Sequence, residues 1–186
     1  MTTSIRESRV AGPARVSTGA GQSIAVLRIA TGLLFLWAFA DKAFGWGYAT
    51  PSANAWLNGG SPTKGFLSGV HSGPFAETLR GWAGAWWADW LFMIGLLGIG
   101  VAVVLGIGLR VAAVTGTVMM LLMWVAEWPP ARFTDTGEAT RSTNPVIEYH
   151  LIYALVLIVL AAVYAGHTWG LGRRWEQLAG DHRWLL

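Results

Sequence analysis

The sequence predicts an all-α membrane domain: a transmembrane four-helix bundle with a long, Trp-rich extracytoplasmic connection that contains an interfacial helix. Three observations carry this. Hydrophobic residues make up 54% of the chain and charged residues only 12%, against about 25% charged in a soluble domain. Apolar stretches of spanning length recur four times, at about residues 23–43, 90–107, 110–128 and 145–167. The chain also carries 12 Trp, a residue enriched where protein meets the membrane–water boundary.

Composition also excludes whole classes of chemistry. There is no Cys, which rules out disulfides, thiolate metal sites, Cys-held iron–sulfur clusters and covalently attached haem. The formal charge is +3, but no stretch has the clustered Lys and Arg of a nucleic-acid footprint. The arginines sit beside apolar segments instead, so the partner that composition points to is the lipid bilayer and not nucleic acid.

Residues 1–22 read as a flexible basic arm, with Arg6, Arg9 and Arg15 among Ser, Thr, Gly12 and Pro13. The membrane domain then covers residues 23–172. Its first span ends at Asp41-Lys42. A cleaved signal peptide is the alternative, with Ala38-Phe39-Ala40 as an A-x-A site, but Arg28 inside the apolar run favours an uncleaved span. The connection over 45–88 is rich in Gly, Pro and Ser up to Pro74, and connections of this length usually contain structure or function. From Pro74 to Trp90 the residues Phe75, Leu79, Trp82, Trp86 and Trp90 recur at helical spacing. That pattern suits a helix lying in the interface, with an ordinary packed loop as the alternative.

The run Leu91–Trp128 is almost continuously apolar. As one helix it would be about 57 Å long, roughly twice the hydrocarbon core. Gly106-Ile107-Gly108-Leu109-Arg110 breaks it into two antiparallel spans joined by a tight hairpin, and Pro129-Pro130 ends the second of them. After a polar loop, Asn144 reads as an N-cap with Pro145 in the first helical position. The fourth span reaches Gly166 or His167 and stops before Gly170, Gly172 and Arg173-Arg174, leaving 173–186 as a tail. Arg6, Arg9, Arg15, Arg110, Arg173, Arg174 and Arg183 share one side, and Lys42, Lys64, Arg80, Arg132 and Arg141 are spread over longer loops on the other. The positive-inside rule places the first group, and both termini, in the cytoplasm of a bacterial-type cell membrane.

Ionisable groups at membrane depth are costly and therefore candidates for function. Arg28 suits an anion contact or an internal ion pair, and equally a side chain that snorkels to the interface. Asp41, Lys42, Glu127, Glu148 and His150 gather at the outer ends of the spans, where a polar pocket would take a quinone headgroup or a small anion. The plainer reading is that helix ends are where charges belong, Glu148 complementing the helix dipole. Two positions apart on one helix, Glu148 and His150 point to different faces, which argues against a general-base pair. No metal site is expected; the alternative is a pair formed by His71 and His150, short of a closed ligand set. His167 is about 25 Å from His150 along the helix, which argues against a dihaem bundle. Gly95, Gly98, Gly100, Gly106 and Gly108 give the second span a small-residue surface that Gly32 and Gly116 of its neighbours can meet. P-loop, GxSxG and HExxH patterns are absent.

The segments RIATGLLFLWAFADKAFG, GIGLRVAAVTG and NPVIEYHLIYALVLIVLAAVYAGHTWGLGRRW, in this order, resemble the DoxX/DoxD-like family of membrane proteins over about residues 24–175. The DoxD branch resembles the membrane subunit of a thiosulfate:quinone oxidoreductase. The resemblance implies a quinone as cofactor, other membrane or redox subunits as partners, and Arg28, Asp41, Lys42, Arg110, Glu148 and His150 as the recurrent polar positions. It carries over no catalytic assignment. A non-catalytic accessory subunit is the alternative it allows, and a small-solute transporter is disfavoured by the lack of an internal repeat.

Overall fold

The computed structural model describes residues 18–185. The expected arm with Arg6, Arg9 and Arg15 lies outside the described residues, except that 18–22 are already helical. Helix α1 spans Thr18–Phe44, α2 Lys64–Ser68, α3 Ala76–Gly81, α4 Trp86–Leu105, α5 Leu109–Glu127, α6 Tyr149–Ala162 and α7 Gly172–Ala179. Among the described residues the only β pairing is one isolated bridge between Phe133 and Ala139.

Helices α1, α4 and α5 are long and apolar enough to cross a membrane. Their 27, 20 and 19 residues correspond to about 40, 30 and 28 Å, against a hydrocarbon core of about 30 Å. Each presents large apolar side chains outward, such as Leu33, Ile94 and Val114, the last 66% exposed. A water-soluble bundle would put polar residues there.

The fourth apolar helix is shorter than its sequence pattern. Helix α6 has 14 residues, about 21 Å. Asn144 does not cap it. Its Oδ1 instead accepts the backbone N–H of Val146 and Ile147, each at 2.9 Å, closing a local turn. The Val146 carbonyl, which a helix from Pro145 would give to the N–H of His150, accepts the indole N–H of Trp124 at 3.0 Å. Glu148 therefore becomes the N-cap, in extended conformation. At the other end Tyr164 has φ 52°, a left-handed conformation that ends the helix.

The helix expected from Pro74 to Trp90 is also divided. Gly84, at φ 78°, sits in the turn between α3 and α4, so Trp86 and Trp90 belong to the first turns of α4. The hairpin forms where it was expected. Gly106 and Gly108 have φ of 71° and 55°, and the N–H groups of Gly106 and Ile107 close back onto Val103 and Ala102 at 3.2 and 3.0 Å.

Packing runs α1 on α4, α4 on α5 and α5 on α6, around Phe35, Met93, Leu96, Ile99, Met120 and Leu157. Small residues make this close. A methyl group on Gly32 would meet Val104 and the Gly100 carbonyl, and one on Gly100 would meet Leu36. Of the small surface expected on α4, Gly100 faces α1, whereas a methyl group on Gly95 would meet Met119 of α5 and one on Gly98 would meet nothing. Gly116 of α5 faces Leu157 of α6 first and Ile99 of α4 second.

One side chain ties the ends together. Arg28 of α1 is 0% exposed. Its Nη1 donates to the carbonyls of Val103, at 2.6 Å, and Val104. Its Nη2 donates to Trp169 at 2.8 Å and Thr168 at 3.4 Å. Among the described residues no carboxylate pairs with the guanidinium, so the internal ion pair does not form, and its Nε has no hydrogen-bond partner there. The guanidinium is internal to the fold, held by backbone carbonyls. Beside it Leu171 N–H donates to the Leu105 carbonyl at 2.8 Å, and Gly106 and Gly166 meet backbone to backbone.

Replacing Arg28 by Gln should therefore lower stability by roughly 3 kcal/mol, since hydrogen bonds to charged groups contribute about 1.5–3 kcal/mol each. Arg28→Lys should recover only part of this, a single ammonium being unable to fork between two chain segments. Thermal unfolding of the solubilised protein checks it; an unchanged midpoint in Arg28→Gln would show the tie to be dispensable.

Candidate functional site

At the end of the helices opposite Arg28, the sequence-predicted residues separate into two kinds. Asp41, 2% exposed, sits in the last turn of α1 and accepts the N–H groups of Tyr48 at 3.2 Å and Ala49 at 3.0 Å. Gly45 makes this return possible: at φ 67° it turns the chain, and a side chain there would collide with Ser52. Lys42 is half-buried and balances the charge of Asp41. Asp41 is thus used in holding the connection onto α1.

Asp89 has a similar role and was not among the expected site residues. Buried in the first turn of α4, it accepts from Ser61 Oγ at 2.9 Å, Thr63 N–H at 2.9 Å and Thr63 Oγ1 at 2.6 Å. A lone carboxylate in a Trp-rich apolar segment was the available signal, since a carboxylate there needs donors from elsewhere. Nearby, Val70, Ala76 and Leu79 pack on Ala126 of α5, so α3 covers the flank of α5 next to Glu127.

Glu127, Glu148 and His150 come together. Glu127 is the last residue of α5, where Trp128 takes the left-handed conformation at φ 40°. Glu148 caps α6, and its Oε2 accepts both the His150 backbone N–H at 3.1 Å and, at 2.9 Å, meets His150 Nδ1. The expectation that these two residues point to different faces fails for a simple reason. Glu148 is extended rather than helical, so its side chain folds back over the first turn. His150 Nδ1 also lies 3.9 Å from Glu127 Oε2, and Tyr149 Oη donates to Glu127 Oε1 at 2.7 Å. The Tyr149 ring lies against the imidazole, with centroids 4.1 Å apart.

The three ligand-type atoms lie within 4.8 Å of one another. His150 is 1% exposed, the Glu127 side chain is 33% exposed, and the Glu148 Oε1 atom is buried without a hydrogen-bond partner among the described residues. Two carboxylates and an imidazole therefore meet at a buried floor with one accessible wall. His71 is exposed and outside this cluster; its carbonyl accepts Asp135 N–H at 3.0 Å. Arg110 lies at the Arg28 end, donating to Tyr164 Oη at 2.9 Å with its guanidinium over the same ring. His167, at that end too, pairs with Glu176 at 2.8 Å.

Comparison with protein-family models finds no match, and neither does comparison with curated proteins or with solved structures.

The cap on α6 gives a direct test. Glu148→Ala should cost about 1 kcal/mol from the lost cap and free the imidazole from its Nδ1 partner, whereas Glu148→Gln should retain the cap. Thermal unfolding separates the two variants, and histidine ring NMR reports the Nδ1 contact. Equal stability of Glu148→Ala and the wild type would contradict the capping role.

Proposed function

We propose that the chain is a four-span membrane subunit of a quinone-linked redox system, of the kind its resemblance to DoxX/DoxD-like proteins implies. In this reading α6 completes a fourth crossing with the help of its flanks. Glu148, extended ahead of Tyr149, adds about 3.3 Å, and the turn Ala165–His167 lengthens the other end. The Arg28 end, with Arg110, Arg173 and Arg174, faces the cytoplasm. The short helix α3 and the Trp-bearing start of α4 lie in the outer interface.

The observation that carries the functional reading is the meeting of Glu127, Glu148 and His150. A quinone that is reduced takes up two electrons and two protons. An imidazole hydrogen-bonded to one carboxylate and near a second, half-exposed one is suited to hold a headgroup oxygen and pass protons to it. Two carboxylates favour a neutral headgroup over a sulfur oxyanion, which they would repel. The electrons would come from a partner redox subunit, with a reduced sulfur compound as the donor that the resemblance implies.

The wild-type assembly, purified with its partners, should reduce a soluble quinone with thiosulfate as donor. His150→Gln and Glu148→Gln should slow turnover by about 100-fold, the size of a general acid–base contribution, at unchanged expression. Full turnover in both variants, or none in the wild type, would overturn the reading.

The fourth crossing has its own test, helped by the absence of Cys. In intact cells an impermeant thiol reagent should label Ser142→Cys, while Gln177→Cys should react only after permeabilisation. Labelling of both from one side would show that α6 does not cross.

A second reading, a non-catalytic accessory subunit, is favoured by one observation. A groove of about 450 Å³ lies on the exposed side of α5 and α6, lined by Arg110, Val114, Thr117, Val118 and Ile158. Its nearest lining residue, Val118, is about 14 Å of helix rise from Glu127. A neighbouring membrane helix would fill such a groove. Stoichiometric co-purification, with full complex activity in His150→Gln, would decide for this reading.

A further inference from the structure

We infer that Glu127, Glu148 and His150 also bind one divalent transition-metal cation, Zn²⁺ by its donor set, and that the bound cation stops proton exchange at this site. The second half rests on the quinone reading; the first does not.

The donor atoms are one imidazole nitrogen and two carboxylate oxygens, all within 4.8 Å of one another. Metal–ligand bonds of about 2.0–2.2 Å place neighbouring ligands roughly 3.0–3.5 Å apart in octahedral or tetrahedral geometry. His150 Nδ1 stands 2.9 Å from Glu148 Oε2 and 3.9 Å from Glu127 Oε2, distances that bracket this range. Small rotations of Glu127, the most exposed of the three, would close the site.

Electrostatics point the same way. Two carboxylates face one imidazole in a place partly removed from water, where like charges repel strongly. Glu148 Oε1 is buried and has no hydrogen-bond donor among the described residues. A buried anionic oxygen without a donor is costly, and a cation held by the other oxygen of the same carboxylate offsets part of that cost. The imidazole selects against Ca²⁺ and Mg²⁺, which prefer all-oxygen ligands. Tyr149 Oη holds Glu127 Oε1 at 2.7 Å, the kind of outer contact that orients a ligating carboxylate. Three protein ligands leave at least one position for water through the Glu127 side. A metal on Nδ1 and the carboxylates occupies the atoms a proton would use, so metal binding and proton exchange exclude each other.

The test uses the metal-stripped full chain in nanodiscs of zwitterionic lipid, titrated with Zn²⁺ alone by calorimetry. One Zn²⁺ per chain is expected. Glu127→Gln and Glu148→Gln should each weaken binding at least about tenfold, His150→Gln should abolish it, and His71→Gln should leave it unchanged. A hundredfold excess of Mg²⁺ should not displace Zn²⁺. Because a buried substitution can disturb folding, the exposed Glu127 supplies a second measurement: Zn²⁺ should raise the unfolding temperature of the wild type and not of Glu127→Gln. No stoichiometric binding, or binding as tight as the wild type in Glu127→Gln or His150→Gln, overturns the metal site. In the quinone assay, Zn²⁺ at its own Kd should inhibit the wild type. Binding without inhibition of a working enzyme overturns the exclusion alone. Binding to a chain that shows no quinone turnover leaves the metal site standing, and the quinone reading falls together with the exclusion.

Discussion

Arg28 is the constraint on which the helix arrangement depends. A guanidinium buried in an apolar bundle must find acceptors, and the acceptors here are carbonyls at the C-terminal end of α4 and in the turn after α6. The last carbonyls of a helix have no partner within it and carry the negative end of its dipole. A cation from α1 placed against them gives both Nη groups acceptors and those carbonyls a donor. The tie also fixes which ends lie together: the start of α1, the end of α4 and the chain leaving α6. The glycines at 106, 166, 170 and 172 let the backbones come close enough for one side chain to bridge them.

The same reasoning sorts the acidic residues. Asp41 accepts two backbone N–H groups of its own following loop, and Asp89 takes three donors from Ser61 and Thr63. Asp41 uses both of its oxygens and Asp89 receives all three donors on Oδ1, and both fasten parts of the long connection to the ends of helices. Glu127 and Glu148 differ. Their partners are a tyrosine hydroxyl and the first residues of α6, and one carboxylate oxygen keeps unused capacity. A group whose hydrogen-bonding capacity is spent on its own backbone has little left for a ligand, so the chemistry concentrates where capacity remains.

Periodicity and composition made the three long helices, the Gly106–Gly108 hairpin and the α1–α4 glycine contact legible in the sequence. These depend on local geometry and on residue size. What was not legible depends on residues distant in sequence. Nothing near Arg28 says that residues 75 and 141 positions away supply its acceptors. Nothing near Asp89 names Thr63. The Asn144-Pro145 pair carries a sound helix-start signal, yet Asn144 closes a turn and Trp124 takes the carbonyl that the extra helical turn required. Of the candidate site, the residue types and their common end of the bundle were readable. The contact between Glu148 and His150 was not, because a two-residue spacing within a helix forbids it.

That failed cap and the candidate site have one origin. If α6 began at Pro145, the N–H of His150 would bond to the Val146 carbonyl, and Glu148 would point roughly 200° around the helix from His150. The two side chains would then diverge, one of them toward the outer face. The actual start at Tyr149 leaves the His150 N–H open, and only the Glu148 carboxylate folds back to it, bringing that carboxylate against the imidazole. The Val146 carbonyl instead accepts the indole N–H of Trp124, and Trp124 lies one turn before Glu127 on α5. This hydrogen bond from α5 joins the Asn144 turn in the segment where α6 starts late and Glu148 turns inward. The loss of helical length and the assembly of the cluster are the same structural event.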